Sequence, residues 1–201
     1  MSAGRTLAAA ALCALLLAVS GCDKLLGPQT PPFHGTDVTG MEAGTALRLD
    51  DTDGRPRTLA DFRGKVVAVT FGYTQCPDVC PTTLHDWAEA MKSLGADASR
   101  VQLLFVTVDP ARDTAGRLRE YVKAFDPRFV GLRGDEKAID GAKRDFHVYA
   151  EIRPGKTPDS YTVDHASQVF VFDPKGRLRL LETAGTSPAD IASDVRALLA
   201  S

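Results

Sequence analysis

Two cysteines near the middle of the chain are the residues best suited to chemistry. The sequence contains four cysteines, of which Cys76 and Cys80 lie well beyond the N-terminal apolar segment. A disulfide between these two would close a very small loop and would remove little entropy from the unfolded chain. The pair is therefore better explained as a reactive or metal-binding dithiol than as a structural disulfide.

The position of this C-x-x-x-C pair favours thiolate chemistry. It lies between the apolar run Val66–Phe71 and the N-terminus of a helix whose first turn is predicted to contain Pro81. The free N–H groups at a helix N-terminus stabilise negative charge, so at least one thiol should have a pKa below the ordinary value of about 8.5. Thiolate is the form that attacks disulfides and binds metals. Two thiolates are too few for a closed zinc site but suit copper(I), which needs a third ligand from elsewhere.

His165 is the most informative of the four histidines. His34 falls in a Pro- and Gly-rich segment, His85 lies off the apolar face of a predicted helix, and His147 ends another helix. His165 stands just before the apolar strand Val169–Phe172, and in a thioredoxin-like sheet the start of that strand lies beside the cysteine loop. A lone histidine is more often structural, so these residues alone leave both a structural role and a ligand role open.

Acidic residues near the motifs admit several roles. Asp164 precedes His165 and is expected to orient its ring or tune its charge, as carboxylates beside metal-binding histidines do. Asp78 lies between the cysteines, where it could tune copper affinity, dock a partner or shape the loop through an Asx turn. The segment Asp109–Asp113 is expected to end a strand and to cap the next helix.

The remaining pattern predicts an α/β fold that can position these residues. Crossover helices between buried strands imply parallel pairing at the centre of a sheet. Asp53-Gly54 marks an N-terminal β-hairpin, and Asp173–Gly176 marks a closing one. We expect a thioredoxin-like domain with a central mixed sheet flanked by helices. Its expected strands are Val66–Phe71, Val101–Val108, Val148–Ile152, Val169–Phe172 and Arg177–Leu181, and its expected helices span about 81–94, 114–125, 135–146 and 188–199.

The N-terminus is typical of an exported bacterial lipoprotein. Arg5 precedes the 13-residue apolar run Leu7–Val19, which suits a signal peptide and is shorter than the roughly 20 residues that cross a bilayer. Val19-Ser20-Gly21-Cys22 resembles a lipobox, although a plain secretory peptide or an uncleaved anchor is the alternative. We expect a domain in the cell envelope that faces the periplasm. The expected divisions are a signal peptide at 1–21, lipidation at Cys22, a flexible tether at 22–40 and the domain at 41–201.

The charge pattern argues against nucleic acid as a partner. The chain has 24 Lys and Arg against 26 Asp and Glu, a formal net charge of −2, with both signs interspersed. Such a chain lacks the basic patch that phosphate binding requires.

Several motifs together resemble the Sco/SenC family of copper chaperones. The segment Gly72–Leu84, GYTQCPDVCPTTL, is similar to the signature of that family, and further similarity is found at Phe105–Thr114, at Gly131-Leu132 with Gly134, and at Tyr161–His165. The resemblance extends from about residue 41 to the end of the chain.

The resemblance implies a site and a partner. It implies that Cys76, Cys80 and His165 bind copper(I) or copper(II), in a protein that helps to assemble the dinuclear copper A centre of cytochrome c oxidase subunit II. The two cysteines can also act as a redox-active pair that forms a disulfide. Gln75 departs from the pattern, because many members of the family carry histidine at this position.

Two classes of function are therefore considered. The first is a membrane-tethered, monomeric metallochaperone, which is a binding and delivery protein rather than an enzyme. The second is a thiol–disulfide oxidoreductase that keeps the cysteines of the oxidase subunit reduced, for which His165 would be dispensable. A peroxide reductase would need a Pro/Thr/Arg pocket around one cysteine, which is not evident in the sequence.

Overall fold

The computed structural model describes residues 33–157 and 160–201, which contain ten strands and four α-helices. The strands are β1 Thr36–Asp37, β2 Leu49–Asp51, β3 Pro56–Arg57, β4 Val66–Gly72, β5 Val101–Thr107, β6 Val130–Arg133, β7 Ala150–Arg153, β8 Thr162–His165, β9 Val169–Phe172 and β10 Leu178–Glu182. The α-helices are α1 Val79–Leu94, α2 Ala115–Phe125, α3 Glu136–Asp145 and α4 Pro188–Leu199. Short 3-10 helices cover Leu59–Phe62 and Gly95–Arg100.

Eight strands form a mixed sheet in the order β1-β10-β9-β4-β5-β6-β2-β3. At its centre β4 and β5 run parallel, from Val66 opposite Val101 to Gly72 opposite Thr107, and every residue of both strands is buried. Parallel neighbours need a crossover connection, which α1 supplies. The expected thioredoxin-like architecture is confirmed, and the predicted N-terminal hairpin, β2–β3, lies at one edge of the sheet.

Each face of the sheet carries its own apolar core. On one face Trp87 of α1 packs among residues of α2 and α4, which include Leu118 and Val195. On the other face the Phe146 ring, which follows α3, meets the Phe71 ring edge-on at 5.2 Å between centroids. Burial on both faces explains why the central strands are continuous apolar runs instead of alternating patterns.

The strands that flank the cysteine loop meet as expected. β9 runs antiparallel to β4 with Val169 opposite Thr70, so β9 begins beside the end of β4. The short strand β8, which the sequence did not predict, ends at His165 and pairs with β7 in a separate two-stranded ribbon. The histidine therefore reaches the cysteine loop on this ribbon and not on the main sheet.

Helix α1 contains Pro81 in its first turn, as predicted. It starts at Val79, so Cys80 also lies inside this turn. Proline is tolerated anywhere in that turn because the N–H group it lacks has no partner within the helix.

The tether prediction is wrong for residues 33–40. The folded unit begins at Phe33 instead of Met41, and β1 pairs antiparallel with β10, with Thr36 opposite Leu181. A two-residue strand in a Gly- and Thr-rich stretch leaves no periodic pattern, which is why the sequence did not reveal it. The predicted signal peptide, Cys22 and the rest of the tether lie outside the described residues. No helix of the described part is long and apolar enough to cross a membrane.

A buried pair of carboxyl groups fastens this N-terminal segment. Asp194 of α4 accepts hydrogen bonds from the backbone N–H groups of His34 (2.9 Å) and Gly35 (2.7 Å), and Glu182 of β10 lies beside it. A Cβ atom on Gly35 would come within 2.8 Å of Glu182 Oε1, so any larger residue here would have to displace the Glu182 carboxyl group. Burial first, and then the neighbouring Asp194, raise the pKa of Glu182 to about 7.

This raised pKa predicts a pH-dependent stability. The unfolded chain loses the Glu182 proton near the ordinary pKa of about 4.3, whereas the folded protein keeps it to about 7. The free energy of unfolding should therefore fall as the pH rises between these values. Glu182→Gln cannot ionise and still donates a hydrogen bond towards Asp194, so its Tm should exceed that of the wild type by more at about pH 8 than at about pH 5.

Thermal unfolding followed by circular dichroism checks this prediction, since 1 kcal/mol corresponds to about 2–4 °C in a domain of this size. Parallel pH profiles of Tm in the two proteins would contradict it.

Candidate metal centre

The two cysteines lie on the connection between β4 and α1. The N–H group of Cys76 donates to the carbonyl of Tyr73 (3.1 Å), which closes a tight turn after the strand. Cys80 lies in the first turn of α1 and is only 4% exposed, whereas Cys76 is half-buried; both are free thiols. One sulfur is therefore embedded in the core and the other faces the surface.

The structure brings His165 to this pair. Its Nε2 atom lies 3.3 Å from Sγ of Cys80, and the three possible ligand atoms of Cys76, Cys80 and His165 all lie within 4.8 Å of one another. This is the only group of three or more His, Cys, Asp or Glu side chains with such spacing among the residues that the structure describes. The three residues singled out in the sequence thus converge, while their action as ligands stays a prediction.

A backbone carbonyl, and not Asp164, orients the imidazole ring. Nδ1 of His165 lies 2.9 Å from the carbonyl oxygen of Ala166, which can only accept, so Nδ1 carries a proton and Nε2 is the ring nitrogen that faces the sulfurs. The Asp164 carboxylate instead accepts from Arg153 Nε at 2.7 Å. The orienting role expected for Asp164 is wrong because successive residues of a strand point to opposite faces. Its expected effect on the charge of the ring is supported, because its carboxylate makes a minor contribution, after the hydrogen bonds of His165, to raising the pKa of the imidazole against the effect of burial.

Hydrogen bonds at the site shift the pKa values of the two thiols in opposite directions. The S–H group of Cys80 donates to Cys76, and this hydrogen bond is the main reason why the pKa of Cys76 is lowered to about 4. Burial opposes the shift, while His165 and two backbone N–H groups make smaller contributions to it. The same hydrogen bond, together with burial, raises the pKa of Cys80. Burial tends to lower the pKa of His165, but its hydrogen bonds to Cys76 and Ala166 outweigh that effect and raise it.

The donor set fits copper(I). Two sulfurs and one imidazole nitrogen are soft to intermediate donors, and three donors suit a soft ion of low coordination number but leave a zinc site incomplete. An open cleft of about 390 Å³ lies over the group and is lined by Cys76, Asp78 and His165. A partner molecule can therefore approach the exposed sulfur.

Asp113 supports the cysteine loop, a role that its place in the sequence did not predict. Its carboxylate is fully buried and accepts from the hydroxyl groups of Thr74 and Thr107, both at 2.6 Å, and from the Thr74 backbone N–H. These bonds tie the cysteine loop to the end of β5. The cap of α2 that was expected from this segment is made by Thr114, whose hydroxyl accepts from the Arg117 N–H.

The other three histidines lie outside the site. His34 is exposed and pairs with Asp190 at 3.3 Å, and His85 and His147 are exposed, as expected from the sequence. The side chain of Asp78 makes no capping hydrogen bond to α1, and Gln75 accepts a hydrogen bond from Arg112 at 3.4 Å.

A thioredoxin-like fold that carries a C-x-x-x-C dithiol and a facing histidine defines a class of metal- or redox-active proteins. Residues 37–200 match the family model described as SCO1/SenC. The chain therefore belongs to the SCO1/SenC family.

The similar proteins come from bacteria and mitochondria. The SCO2-like protein of Rickettsia felis is 32% identical over 183 residues, which cover 88% of this chain and 89% of that protein. The structure of Bradyrhizobium japonicum ScoI with copper bound has a TM-score of 0.70 and 34% identity, and covers 82% of this chain and 98% of that one. BsSco, a member of the Sco family of cytochrome c oxidase assembly proteins, shares the fold (TM-score 0.62) at 23% identity, with 83% of this chain and 97% of that one covered. The chain spans about half the length of the mitochondrial SCO2 homologs that it matches, from 47% to 57%.

The lowered pKa of Cys76 predicts its reactivity in the reduced, metal-free protein. Cys76 should be alkylated by iodoacetamide at a nearly constant rate from neutral pH down to about pH 5, because its thiolate persists to a pKa of about 4. Cys80→Ala removes the strongest donor to this thiolate, so the inflection of its rate profile should move towards the ordinary cysteine range. Mass spectrometry of the alkylated peptide measures both profiles, and one common inflection near pH 8.5 would contradict the prediction.

Proposed function

We propose that this protein binds copper through Cys76, Cys80 and His165 and delivers it to the copper A centre of cytochrome c oxidase subunit II. The observation that carries the proposal is the convergence of two sulfurs and one imidazole nitrogen within 4.8 Å beside an open cleft. Membership of the SCO1/SenC family supports it, as does the copper-bound structure of a 34% identical protein, ScoI. The link to the oxidase rests on the family resemblance and on BsSco, a member of a family of oxidase assembly proteins.

The geometry suits a carrier that must also release its cargo. Three donors hold copper(I) without closing its coordination, so a thiolate of the partner can bind before the ligands of the carrier leave. Cys76 is half-exposed in the cleft while Cys80 is buried, so we infer that Cys76 is the first sulfur to be exchanged. Copper(II) can occupy the same donors, since imidazole and thiolate both bind it.

We infer that lipid on Cys22 holds the protein in the bacterial cell envelope, where it faces the periplasm as a monomer. The segment between Cys22 and Phe33, where the folded unit begins, would be the tether. Such a short connection to the lipid would keep the metal centre near a membrane-bound oxidase subunit.

A second function, thiol–disulfide exchange, is favoured by the low pKa of Cys76 beside a second free thiol. The Cys76 thiolate would attack a disulfide of the oxidase subunit and form a mixed disulfide. Cys80 would then displace the second thiol of the partner. The protein is thereby oxidised to a disulfide while the disulfide of the partner is reduced to two thiols.

One substitution separates the two functions. His165→Ala should lower the copper(I) affinity by about 100-fold or more, since even the loss of an outer partner of a ligand costs about 10–100-fold. The rate at which the dithiol reacts with oxidised glutathione should stay largely unchanged, because the principal donor to Cys76 is Cys80. Competition with bathocuproine disulfonate measures the affinity.

His85→Ala is the matched control, since this histidine is exposed on α1 and should leave both measurements as in the wild type. Unchanged copper affinity in His165→Ala would overturn the delivery function and leave only the dithiol chemistry.

A further inference from the structure

The attachment of the β7–β8 ribbon determines where His165 lies. Both strands of the ribbon pair only with each other among the described residues, so the main sheet does not hold the ribbon through strand pairing. His165 ends β8, and Tyr161 directly precedes this strand. Four residues of strand span about 13 Å, so a fixed Tyr161 would fix the position of the histidine.

Arg112 holds Tyr161 through three kinds of contact. Its Nη1 donates to the Tyr161 carbonyl at 2.9 Å, and its guanidinium lies 3.5 Å from the centroid of the Tyr161 ring. It also forms an ion pair with Asp109, which in turn accepts from the Tyr161 hydroxyl at 2.8 Å. A guanidinium is suited to combine a hydrogen-bond fork with stacking on an aromatic face.

The same guanidinium also faces the cysteine loop. It donates to Gln75 at 3.4 Å and lies 5.7 Å from the centroid of the Tyr73 ring. The Tyr73 ring meets the His165 ring edge-on at 5.9 Å between centroids. Arg112 therefore contacts both the element that carries the cysteines and the element that carries the histidine.

The charged side chains of Arg112 and Asp109 are buried and therefore depend on their contacts with each other. The side chains of Arg112 and Asp109 are only 14% and 3% exposed, so their charges are largely desolvated and depend on each other. Nη2 of Arg112 is buried without a hydrogen-bond partner among the described residues.

We propose that Asp109, Arg112 and Tyr161 form a clasp that sets the position of His165 over the cysteine pair. Arg112 is then a positioning residue: it acts on copper affinity through His165 and does not touch the ion. This inference rests on the proposed copper-binding function and extends it from the three ligands to the group that aligns one of them.

A double-mutant cycle tests the clasp. Arg112→Lys keeps the positive charge beside Asp109 but loses the multiple N–H donors of the guanidinium and its stacking on the Tyr161 ring. Tyr161→Phe loses only the hydrogen bond from the tyrosine hydroxyl to Asp109. Each variant is made in the wild type and in His165→Ala, and copper(I) affinity is measured by competition with bathocuproine disulfonate. We expect Arg112→Lys to weaken binding about 10-fold when His165 is present and to have no further effect when it is absent.

A second measurement uses the metal-free protein. The imidazole NMR signals of His165 should shift in Arg112→Lys and in Tyr161→Phe, while those of His85 should not. Arg119→Ala is the matched control, because Arg119 bonds to Thr52 and Asp53 near the β2–β3 turn and should change neither affinity nor the His165 signals.

The outcomes are distinct. A full loss of affinity in His165→Ala with no effect of Arg112→Lys or Tyr161→Phe would overturn the clasp alone. An equal loss from Arg112→Lys in both backgrounds would also overturn it, because the arginine would then act independently of the histidine. No loss in His165→Ala itself would overturn the clasp together with the proposed function. If Arg112→Lys does not fold, Tyr161→Phe decides by the same criteria.

Discussion

The contact between the Cys80 sulfur and the His165 imidazole is the interaction on which the rest of the site depends. The two atoms lie 3.3 Å apart although the residues are separated by 85 positions in the chain. The two sulfurs, by contrast, come from one turn and the helix that follows it. Three donors can share one soft ion only when all lie within a few ångströms of each other, so the fold must supply the long-range contact.

The two sides of this contact are held in different ways. The cysteine side is rigid, because β4 is buried on both faces, Cys80 lies within α1, and Asp113 ties the loop to β5. The histidine side lies on a two-stranded ribbon that meets the rest of the protein through side chains, above all those of the proposed clasp around Arg112. A carrier benefits from this asymmetry, since one ligand can be displaced while the buried sulfur stays in place.

The sequence revealed the parts of the fold whose residues repeat with a clear period. The apolar β-branched run of β4 and the apolar face of α1 were predicted because burial demands those residue types. β1 and β8 escaped prediction because strands of two or four mixed residues have no such period. Pro81 indicated the first turn of α1 but not its first residue, since proline fits anywhere in that turn.

The site was foreseeable only in its ligand types. Cys76 and Cys80 were identified by spacing, and His165 by its place before a buried strand and by family resemblance. The supports were not foreseeable, because they depend on which side chains meet in space. Asp164 was chosen as the neighbour of His165 in sequence, but strand alternation turned it towards Arg153. Asp113 lies 39 residues from the threonine that it holds.

The most direct test of the shared site is X-ray absorption spectroscopy at the copper edge, on the reduced protein loaded with one equivalent of copper(I). Our account predicts two sulfur donors and one imidazole nitrogen in the wild type, and loss of the nitrogen in His165→Ala. A spectrum with sulfur donors alone that is identical in both proteins would contradict it.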